Sequence, residues 1–175
     1  MILGLHAHKR AGKDSLADML QERLGYQKIA FATPLYRGLK VMFPFIEPAY
    51  YEDRNKVVPA LGKSVNQLLQ SLGTEWGRNM VNEGVWVYVA GKTFSNTHSS
   101  TLGANVVFTD IRYENEAQEV YALGGAVIHI VGRGGKLNDH SSEIGIPDKY
   151  IDYTIRNDGT KEDLWKALTD LPLSI

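Results

Sequence analysis

Near the start of the chain, basic residues and glycine are concentrated between an apolar run and a helical pattern. Residues 4–15 read GLHAHKRAGKDS, and leucines then recur at every fourth position up to Leu24. The loop carries Lys9, Arg10 and Lys13, and a buried turn has no packing use for these cations. Its backbone N–H groups and the N-terminus of the following helix could hold a polyphosphate. We therefore predict a phosphate-binding loop in which Lys13 reaches the β- and γ-phosphates.

This loop departs at two positions from the usual phosphate-loop pattern, G-x-x-x-x-G-K-[ST]. Ala7 stands where the first glycine belongs. Asp14 follows the lysine, so the hydroxyl comes one place later, at Ser15. The alternative interpretation is a cationic loop that is capped by Asp14 and binds no ligand.

A second candidate for chemistry is Asp110, which ends the continuous apolar run of residues 105–110. Such a run is typical of a buried parallel strand. An acid at the carboxyl end of such a strand lies where α/β sheets bind ligands, and it can hold Mg²⁺ directly or through water. We predict Asp14 and Asp110 as metal ligands. The alternative is that Asp110 only caps the next helix.

The elements that must position these residues alternate between strands and helices. Apolar runs predict strands over residues 2–5, 27–31, 105–110, 126–131 and 153–156. Helical spacing of apolar residues predicts one helix that ends at Gly25 and others that begin at Thr33, at Ser64 and at Thr160. A further helix is predicted over residues 113–123. Parallel strands with right-handed crossovers give a doubly wound α/β fold with helices on both faces. Residues 84–90 are ambiguous between strand and helix, and residues 95–104 predict a loop.

The helix at Ser64 begins with a capping box that Gln67 completes. Apolar residues at every fourth position predict its buried side: Leu68, Leu72, Trp76 and Met80. A polar stripe with the same spacing is formed by Gln70, Thr74 and Arg78. A stripe of this kind is usually a solvent-facing surface.

Two segments lack the regular spacing of apolar residues that predicts a helix or a strand. Residues 44–63 are irregular and could be a binding loop or a solvated connection. Residues 132–145, with Arg133 and Lys136, could be a lid-like loop or a plain surface loop.

His129, inside an apolar strand, is expected to be a hydrogen-bonded core residue rather than a ligand.

Composition limits the classes of function. The 175 residues correspond to one domain, or to one domain with a small insertion. Nineteen basic and twenty acidic residues leave no net field to attract a nucleic-acid polymer or a membrane. The absence of cysteine excludes disulfides and thiol catalysis. The first strand starts at the N-terminus and no apolar run is long enough to span a bilayer, so we expect a soluble cytoplasmic protein.

Several segments, taken in order, carry a family resemblance over nearly the whole chain. They are KRAGKDS at 9–15, LQSLGTE at 69–75, TDIR at 109–112 with NE at 115–116, LGGAVIHIV at 123–131 and IRNDGT at 155–160. In this order they resemble the bacteriophage deoxynucleoside monophosphate kinases, in particular the T4-like enzyme. This chain is shorter than that enzyme, with less inserted between Arg54 and Ser64.

The resemblance implies a single domain over residues 1–175 with the three-layer P-loop NTPase fold, a parallel sheet with helices on both faces. From their composition, residues 44–63 are expected to be a substrate-binding insertion and residues 132–145 a lid-like loop. The implied reaction moves the γ-phosphoryl group of ATP to a deoxynucleoside 5′-monophosphate (dNMP), with Mg²⁺, to give ADP and the diphosphate. A homodimer and a place in the host cell cytoplasm are implied as well.

The resemblance and the chemistry together assign residues to the two nucleotides. The expected contacts to ATP are consecutive: Ala11, Gly12, Lys13, Asp14 and Ser15. The expected contacts to the dNMP are Lys9, Pro34, Leu35, Tyr36, Arg37, Arg54, Gln70, Thr74, Arg78, Trp86, Asp110, Arg112 and Glu116. Phosphoryl transfer is mainly positioning and neutralisation of charge. The residues expected to act on the transferring group are therefore charged: Lys13, Arg10, Asp14 and Arg133.

Two other functions remain open at this stage. Another P-loop kinase, acting on a non-nucleotide such as a phosphorylated metabolite, would share the loop and the lid. A regulatory module that binds nucleotide without turnover is left open by the departures at Ala7 and Asp14.

Overall fold

The computed structural model describes residues 1–8, 10–100, 104–132 and 145–173, with the backbone alone for residues 97–100. Two compact units are present, residues 1–31 with 90–175, and residues 32–89. The elements of the first unit's opening segment are β1 (Ile2–Ala7), α1 (Lys13–Leu24) and β2 (Gln27–Ile29). The second unit contains α2 (Thr33–Met42), α3 (Pro48–Glu52), β3 (Val57–Val58), β4 (Lys63–Ser64), α4 (Val65–Gln70) and a π-helix (Ser71–Val81).

The remaining elements lie largely in the first unit. They are α5 (Val85–Ser100), whose first turn belongs to the second unit, β5 (Val106–Ile111), α6 (Glu114–Ala122), β6 (Ala126–Gly132), a 3₁₀ turn (Asp148–Tyr150), β7 (Tyr153–Asn157) and α7 (Lys161–Thr169). None of the helices in the described ranges is long and apolar enough to cross a membrane.

The first unit is built on a five-stranded parallel sheet with the order β2-β5-β1-β6-β7. On one face, Leu3 and Leu5 of β1 are fully buried in a core that they share with α1 and α7. On the other face, Gly4 packs against Val120 of α6. Helices therefore cover both faces of a parallel sheet, which confirms the predicted three-layer fold. The predicted strand at 27–31 ends earlier, at Ile29.

The second unit holds the whole of the segment that was expected to be irregular, residues 44–63. Residues 44–63 contain the short helix α3 and part of the β3–β4 hairpin, so the prediction of irregular structure was wrong. Ile46 and Val58 anchor this segment in a core that includes Leu39 and Val65. Burial of these apolar side chains therefore stabilises the segment, although its composition is polar.

The capping box at Ser64 is confirmed, since the Ser64 hydroxyl accepts from the Gln67 N–H and the Gln67 side chain accepts from the Ser64 N–H. The predicted buried side of this helix was wrong. Trp76 and Met80 are 47% and 77% exposed. Spacing by four residues holds for an α-helix, whereas residues 71–81 form a π-helix with more residues per turn.

Two glycines, Gly73 and Gly77, lie on the inward side of the π-helix together with the buried Arg78. A Cβ added to Gly73 would lie 2.9 Å from Leu35 Cδ1, and one added to Gly77 would lie 2.5 Å from Trp86 Cζ2. The Trp86 indole N–H donates to the Gly73 carbonyl at 2.7 Å. Leu35 and Trp86 therefore approach the helix backbone where the two glycines leave room.

Helix α5 resolves the ambiguity of residues 84–90 and extends through residues 95–100, where a loop was predicted. Phe94 stacks on Phe108 with ring centroids 6.3 Å apart, and this packing holds the helix on the sheet. The Ser95 hydroxyl donates to the Gly91 carbonyl at 2.9 Å, so a residue type that favours loops is accommodated within the helix.

Candidate active site

The loop between β1 and α1 is tight. Ala7 is the last residue of β1 and pairs with Ile130, so the position where the motif has its first glycine is a regular strand position here. The left-handed backbone occurs later, at Arg10 (φ 67°) and Gly12 (φ 100°). The Ala11 N–H closes a turn on the His8 carbonyl at 3.1 Å. The departure at Ala7 is therefore compatible with a tight turn.

Asn157, at the end of β7, holds this turn from the other side. Its Nδ2 donates to the Ala11 carbonyl at 2.8 Å, and both groups are buried. A Cβ on Gly12 would lie 2.2 Å from that nitrogen, so only glycine fits. Sequence analysis did not single out Asn157, because the contact joins residues 146 positions apart.

Lys13 and Asp14 open helix α1. Gly12 is the N-cap residue of α1, and Asp14 forms an ion pair with Lys13 at 3.0 Å instead of capping the helix. The Asp14 side chain is 92% exposed, whereas the Lys13 side chain is largely buried. Ser15 is half-buried and Arg10 is exposed. The lysine ammonium is thus held beside the N-terminus of a helix, where an anion is favoured.

Asp110 is buried at the next strand, β5, which pairs directly with β1. Its Oδ1 accepts the Phe31 N–H at 2.8 Å. The N-cap residue of the following helix is Tyr113, so the alternative interpretation of Asp110 as that cap was wrong. Since β1 and β5 are parallel, their carboxyl ends lie at one edge of the sheet, and the carboxylate is on the same edge as the loop.

Three histidines meet next to the loop. The His6 ring centroid is 4.8 Å from that of His129 and 6.4 Å from that of His8. His6 Nδ1 lies 3.0 Å from the Ile111 carbonyl and donates to it, since a carbonyl only accepts. Burial, more than the neighbouring positive charges, lowers the pKa of His6 below 6.5.

His129 was expected to be a hydrogen-bonded core residue rather than a ligand, and the structure differs from this in its burial and at one ring nitrogen. It is half-buried, and among the described residues its buried Nε2 has no hydrogen-bond partner. Burial is also the main reason that the pKa of His129 is lowered. Sequence reasoning missed the cluster because strand register alone brings His6 of β1 opposite His129 of β6.

In the second unit, two residues expected around the dNMP are in contact. The Arg54 guanidinium donates through Nη1 to the Tyr36 hydroxyl. The Arg54 carbonyl accepts the Asn66 N–H at 2.9 Å, which joins this residue to the start of α4. Pro34 is half-buried, Leu35 is buried and Arg37 is exposed on α2.

The other expected dNMP contacts in this unit are partly used within it. Gln70 and Thr74 are half-buried. Arg78 is buried and donates through Nη1 to the Glu83 carbonyl at 2.9 Å. Trp86 is buried and its N–H is bonded to Gly73, as described above. The polar stripe therefore faces inward at Arg78.

The last expected contacts lie after Asp110 and in the loop. Glu116 is buried, and its Oε2 accepts the N–H groups of Arg112 at 2.7 Å and Tyr113 at 3.2 Å. This carboxylate therefore secures the start of α6, and the Arg112 side chain is exposed. Lys9, Arg133, Lys136 and the interior of the segment 132–145 lie outside the described residues.

A parallel sheet between two helical layers, with a tight loop from its central strand into a helix that begins with lysine, defines a P-loop protein of the kinase type. The family model described as deoxynucleotide monophosphate kinase matches residues 46–168. The chain belongs to this family, which confirms the resemblance drawn from the sequence.

Individual relatives agree at modest identity. The deoxynucleotide monophosphate kinases of Escherichia phage RB69 and Enterobacteria phage T4 are 33% and 34% identical over 60% of this chain. The chain spans only 43% and 44% of the lengths of these two relatives. A protein of Acanthamoeba polyphaga mimivirus, provisionally named as the same kinase, is 27% identical over 96% of this chain and 94% of its own length.

Two solved structures share the fold. The crystal structure of TT1252 from Thermus thermophilus has a TM-score of 0.52 at 18% identity and covers 97% of this chain and 94% of its own. The dephospho-CoA kinase from Campylobacter jejuni has a TM-score of 0.50 at 14% identity, with coverages of 97% and 96%. At these identities the likeness shows the fold alone.

Proposed function

We propose that this protein is a deoxynucleoside monophosphate kinase, which transfers the γ-phosphoryl group of ATP to a dNMP and releases ADP and the diphosphate. The observation that carries the proposal is the phosphate loop. Gly12 caps α1 and Lys13 opens it, in a chain that belongs to the deoxynucleotide monophosphate kinase family.

The loop is assigned to the phosphates of ATP. Backbone N–H groups at the start of α1 supply partial positive charge, and Lys13 supplies a full one. Asp14, 3.0 Å from the Lys13 ammonium, restrains its position. Such fixed cations neutralise the charge of the transferring phosphoryl group, which is the main task of the protein in this reaction.

Mg²⁺ is the metal that this family implies, and the carboxylates at the loop edge fit it. Mg²⁺ is usually bound through one or two carboxylates together with substrate phosphates and water. The described residues contain no group of three or more His, Asp or Glu that could hold a metal on their own. Asp14 and Asp110 are the residues that would hold it, and the ion would neutralise phosphate charge.

The acceptor monophosphate is assigned to Arg54. A guanidinium can bind a phosphate through two parallel hydrogen bonds, and Arg54 is exposed. The Tyr36 hydroxyl is uncharged and accepts one N–H of that guanidinium, which fixes the direction in which the guanidinium points. Arg78 is another arginine among the expected dNMP contacts, but its buried guanidinium donates to the Glu83 carbonyl. We therefore assign the phosphate contact to Arg54.

The test is ADP release from Mg-ATP by the purified protein with a panel of dNMPs and ribonucleoside monophosphates. Turnover with at least one dNMP, abolished in Lys13→Ala, is expected. ATP binding without ADP release for any nucleotide would contradict the proposal and favour a non-catalytic module. Release only with a phosphorylated metabolite would favour a different small-molecule kinase.

From the family resemblance we also propose that the protein acts in the host cell cytoplasm and forms a homodimer. Light scattering on the purified protein measures the mass directly. A monomer at working concentration would contradict the dimer and leave the catalytic proposal untouched.

A further inference from the structure

We propose that Asn157 is a positioning residue that sets the direction of a phosphate-binding N–H group in the loop. Its role is to fix the peptide between Ala11 and Gly12. This inference rests on the proposed function for its connection to turnover, while its structural basis is independent of the acceptor.

The geometry of one peptide unit carries the inference. A peptide is planar and trans, so its carbonyl and its N–H point in opposite directions. Asn157 Nδ2 holds the Ala11 carbonyl at 2.8 Å on the buried side of the loop. The N–H of Gly12, which belongs to the same peptide, is therefore turned away from Asn157. A phosphate loop needs its N–H groups directed at the anion.

Glycine makes this control necessary. Gly12 has φ 100° and carries no side chain, so its backbone can adopt either peptide orientation at little cost. In the opposite orientation the Ala11 carbonyl oxygen would face the phosphates and repel them. A buried carbonyl that loses its donor is destabilising, so the bond to Asn157 favours the orientation suited to anions.

The sheet holds Asn157 in place independently of any ligand. Asn157 pairs with Gly132 at the ends of β7 and β6. Gly132 has φ 115°, and a Cβ added there would lie 2.7 Å from the Asn157 carbonyl oxygen, so the two backbones are in close contact. The carboxamide therefore projects from a fixed strand end onto the loop. It fills the space that is available because Gly12 has no side chain.

The experiment compares Asn157→Asp, Asn157→Ala and Asn157→Ser. Aspartate has the same shape but presents an acceptor to the Ala11 carbonyl, alanine presents nothing, and serine keeps a smaller donor. Affinity for Mg-ATP and for magnesium tripolyphosphate is measured by titration calorimetry. Loss of one buried hydrogen bond predicts roughly tenfold weaker binding of both ligands for alanine, more for aspartate and less for serine.

Turnover separates positioning from general damage. The KM for ATP is expected to rise with the calorimetric loss, while the KM for the dNMP stays near that of the parent. Asn79→Asp, on the exposed surface of the π-helix, is the matched control for the added charge and should leave both constants unchanged. Far-UV circular dichroism and thermal unfolding identify which variants fold. If Asn157→Asp does not fold, Asn157→Ala and Asn157→Ser decide the outcome.

Parent-like affinity for ATP and tripolyphosphate in the folded variants would overturn the inference. An equal loss for both nucleotide substrates would do the same, because it would indicate general damage. If the parent protein turned over no dNMP, the proposed function would fail, and the tripolyphosphate titrations would still decide the role of Asn157.

Discussion

The guanidinium of Arg54 is hydrogen-bonded to the hydroxyl of Tyr36, which joins the segment after α3 to helix α2. The bond uses one edge of the guanidinium. Because tyrosine accepts it without adding charge, the positive charge of Arg54 stays available for an anion. This is the arrangement expected of a phosphate-binding arginine that is oriented in advance.

Arg54→Ala is expected to raise the KM for the dNMP at least tenfold, with little change in the KM for ATP. Tyr36→Phe, which removes only the hydrogen bond, should raise the same constant roughly fivefold. Steady-state kinetics with each substrate varied in turn provide the measurement. Arg23→Ala, which breaks a surface ion pair with Glu162, is the matched control. Equal effects on both KM values would remove Arg54 from the acceptor site.

Lys13→Ala is expected to lower kcat by roughly 100-fold or more, the scale of lost electrostatic stabilisation in a transition state. Its control is Lys28→Ala, which removes a lysine paired with Asp18 on the surface and should leave kcat unchanged. Single-turnover measurements separate chemistry from product release. Near-parent turnover in a folded Lys13→Ala protein would contradict the assignment of the loop.

Asp110→Asn is expected to raise the Mg²⁺ concentration needed for half-maximal rate while leaving the fold intact. Asparagine keeps an oxygen that can accept the Phe31 N–H but lacks the negative charge that attracts the ion. Asp110→Leu loses that acceptor too and should lower the free energy of unfolding by roughly 1–3 kcal/mol. Overlapping Mg²⁺ titrations of the parent and Asp110→Asn would exclude Asp110 as a ligand of the metal.

The histidine cluster predicts that the protein loses stability in mild acid. Burial lowers the pKa values of His6 and His129 in the folded state below the ordinary value of 6.5, so the unfolded chain binds more protons as the pH falls. The associated stability is complete above pH 6.5 and is lost progressively as the pH falls toward the folded-state pKa values. His8 and Lys13 act on His6 in the same direction, and the bond to Ile111 opposes them. For His129, the positive charges of His6 and His8 add to the effect of burial, and Asp148 opposes it.

His6→Gln should therefore make the free energy of unfolding less dependent on pH. Glutamine can still donate to the Ile111 carbonyl but does not titrate. Urea unfolding of parent and variant at about pH 7.5 and about pH 5.5 gives the comparison. The same decrease in both proteins would assign the pH dependence to other groups.

Local patterns predicted much of the first unit correctly. The apolar runs gave β1, β5 and β6 because a buried parallel strand is apolar on both faces, as Val106 and Val107 illustrate. The capping box at Ser64 was readable because its two partners are three residues apart. The phosphate loop was recognisable because its cations and glycine are consecutive.

What the sequence did not reveal depends on partners distant along the chain. Strand register places His6 opposite His129, and no local pattern encodes it. Residues 71–81 form a π-helix in which Leu35 and Trp86 pack at Gly73 and Gly77, so a spacing rule for α-helices assigned Trp76 to the wrong side. Asn157 was missed for the same reason, because its partner is at the opposite end of the chain.

The exposed Trp76 and the buried Trp86 give the second unit its own optical signal. Their rings are 6.4 Å apart, and Trp76 is 47% exposed whereas the Trp86 N–H is bonded to a backbone carbonyl. The remaining tryptophan of the three, Trp165, belongs to the first unit. In a Trp165→Phe protein, tryptophan fluorescence excited outside the absorption of tyrosine would report on residues 32–89 alone. Unfolding of this unit could then be followed separately from unfolding of the sheet. Ligand-induced changes in tryptophan emission could likewise be assigned to this unit.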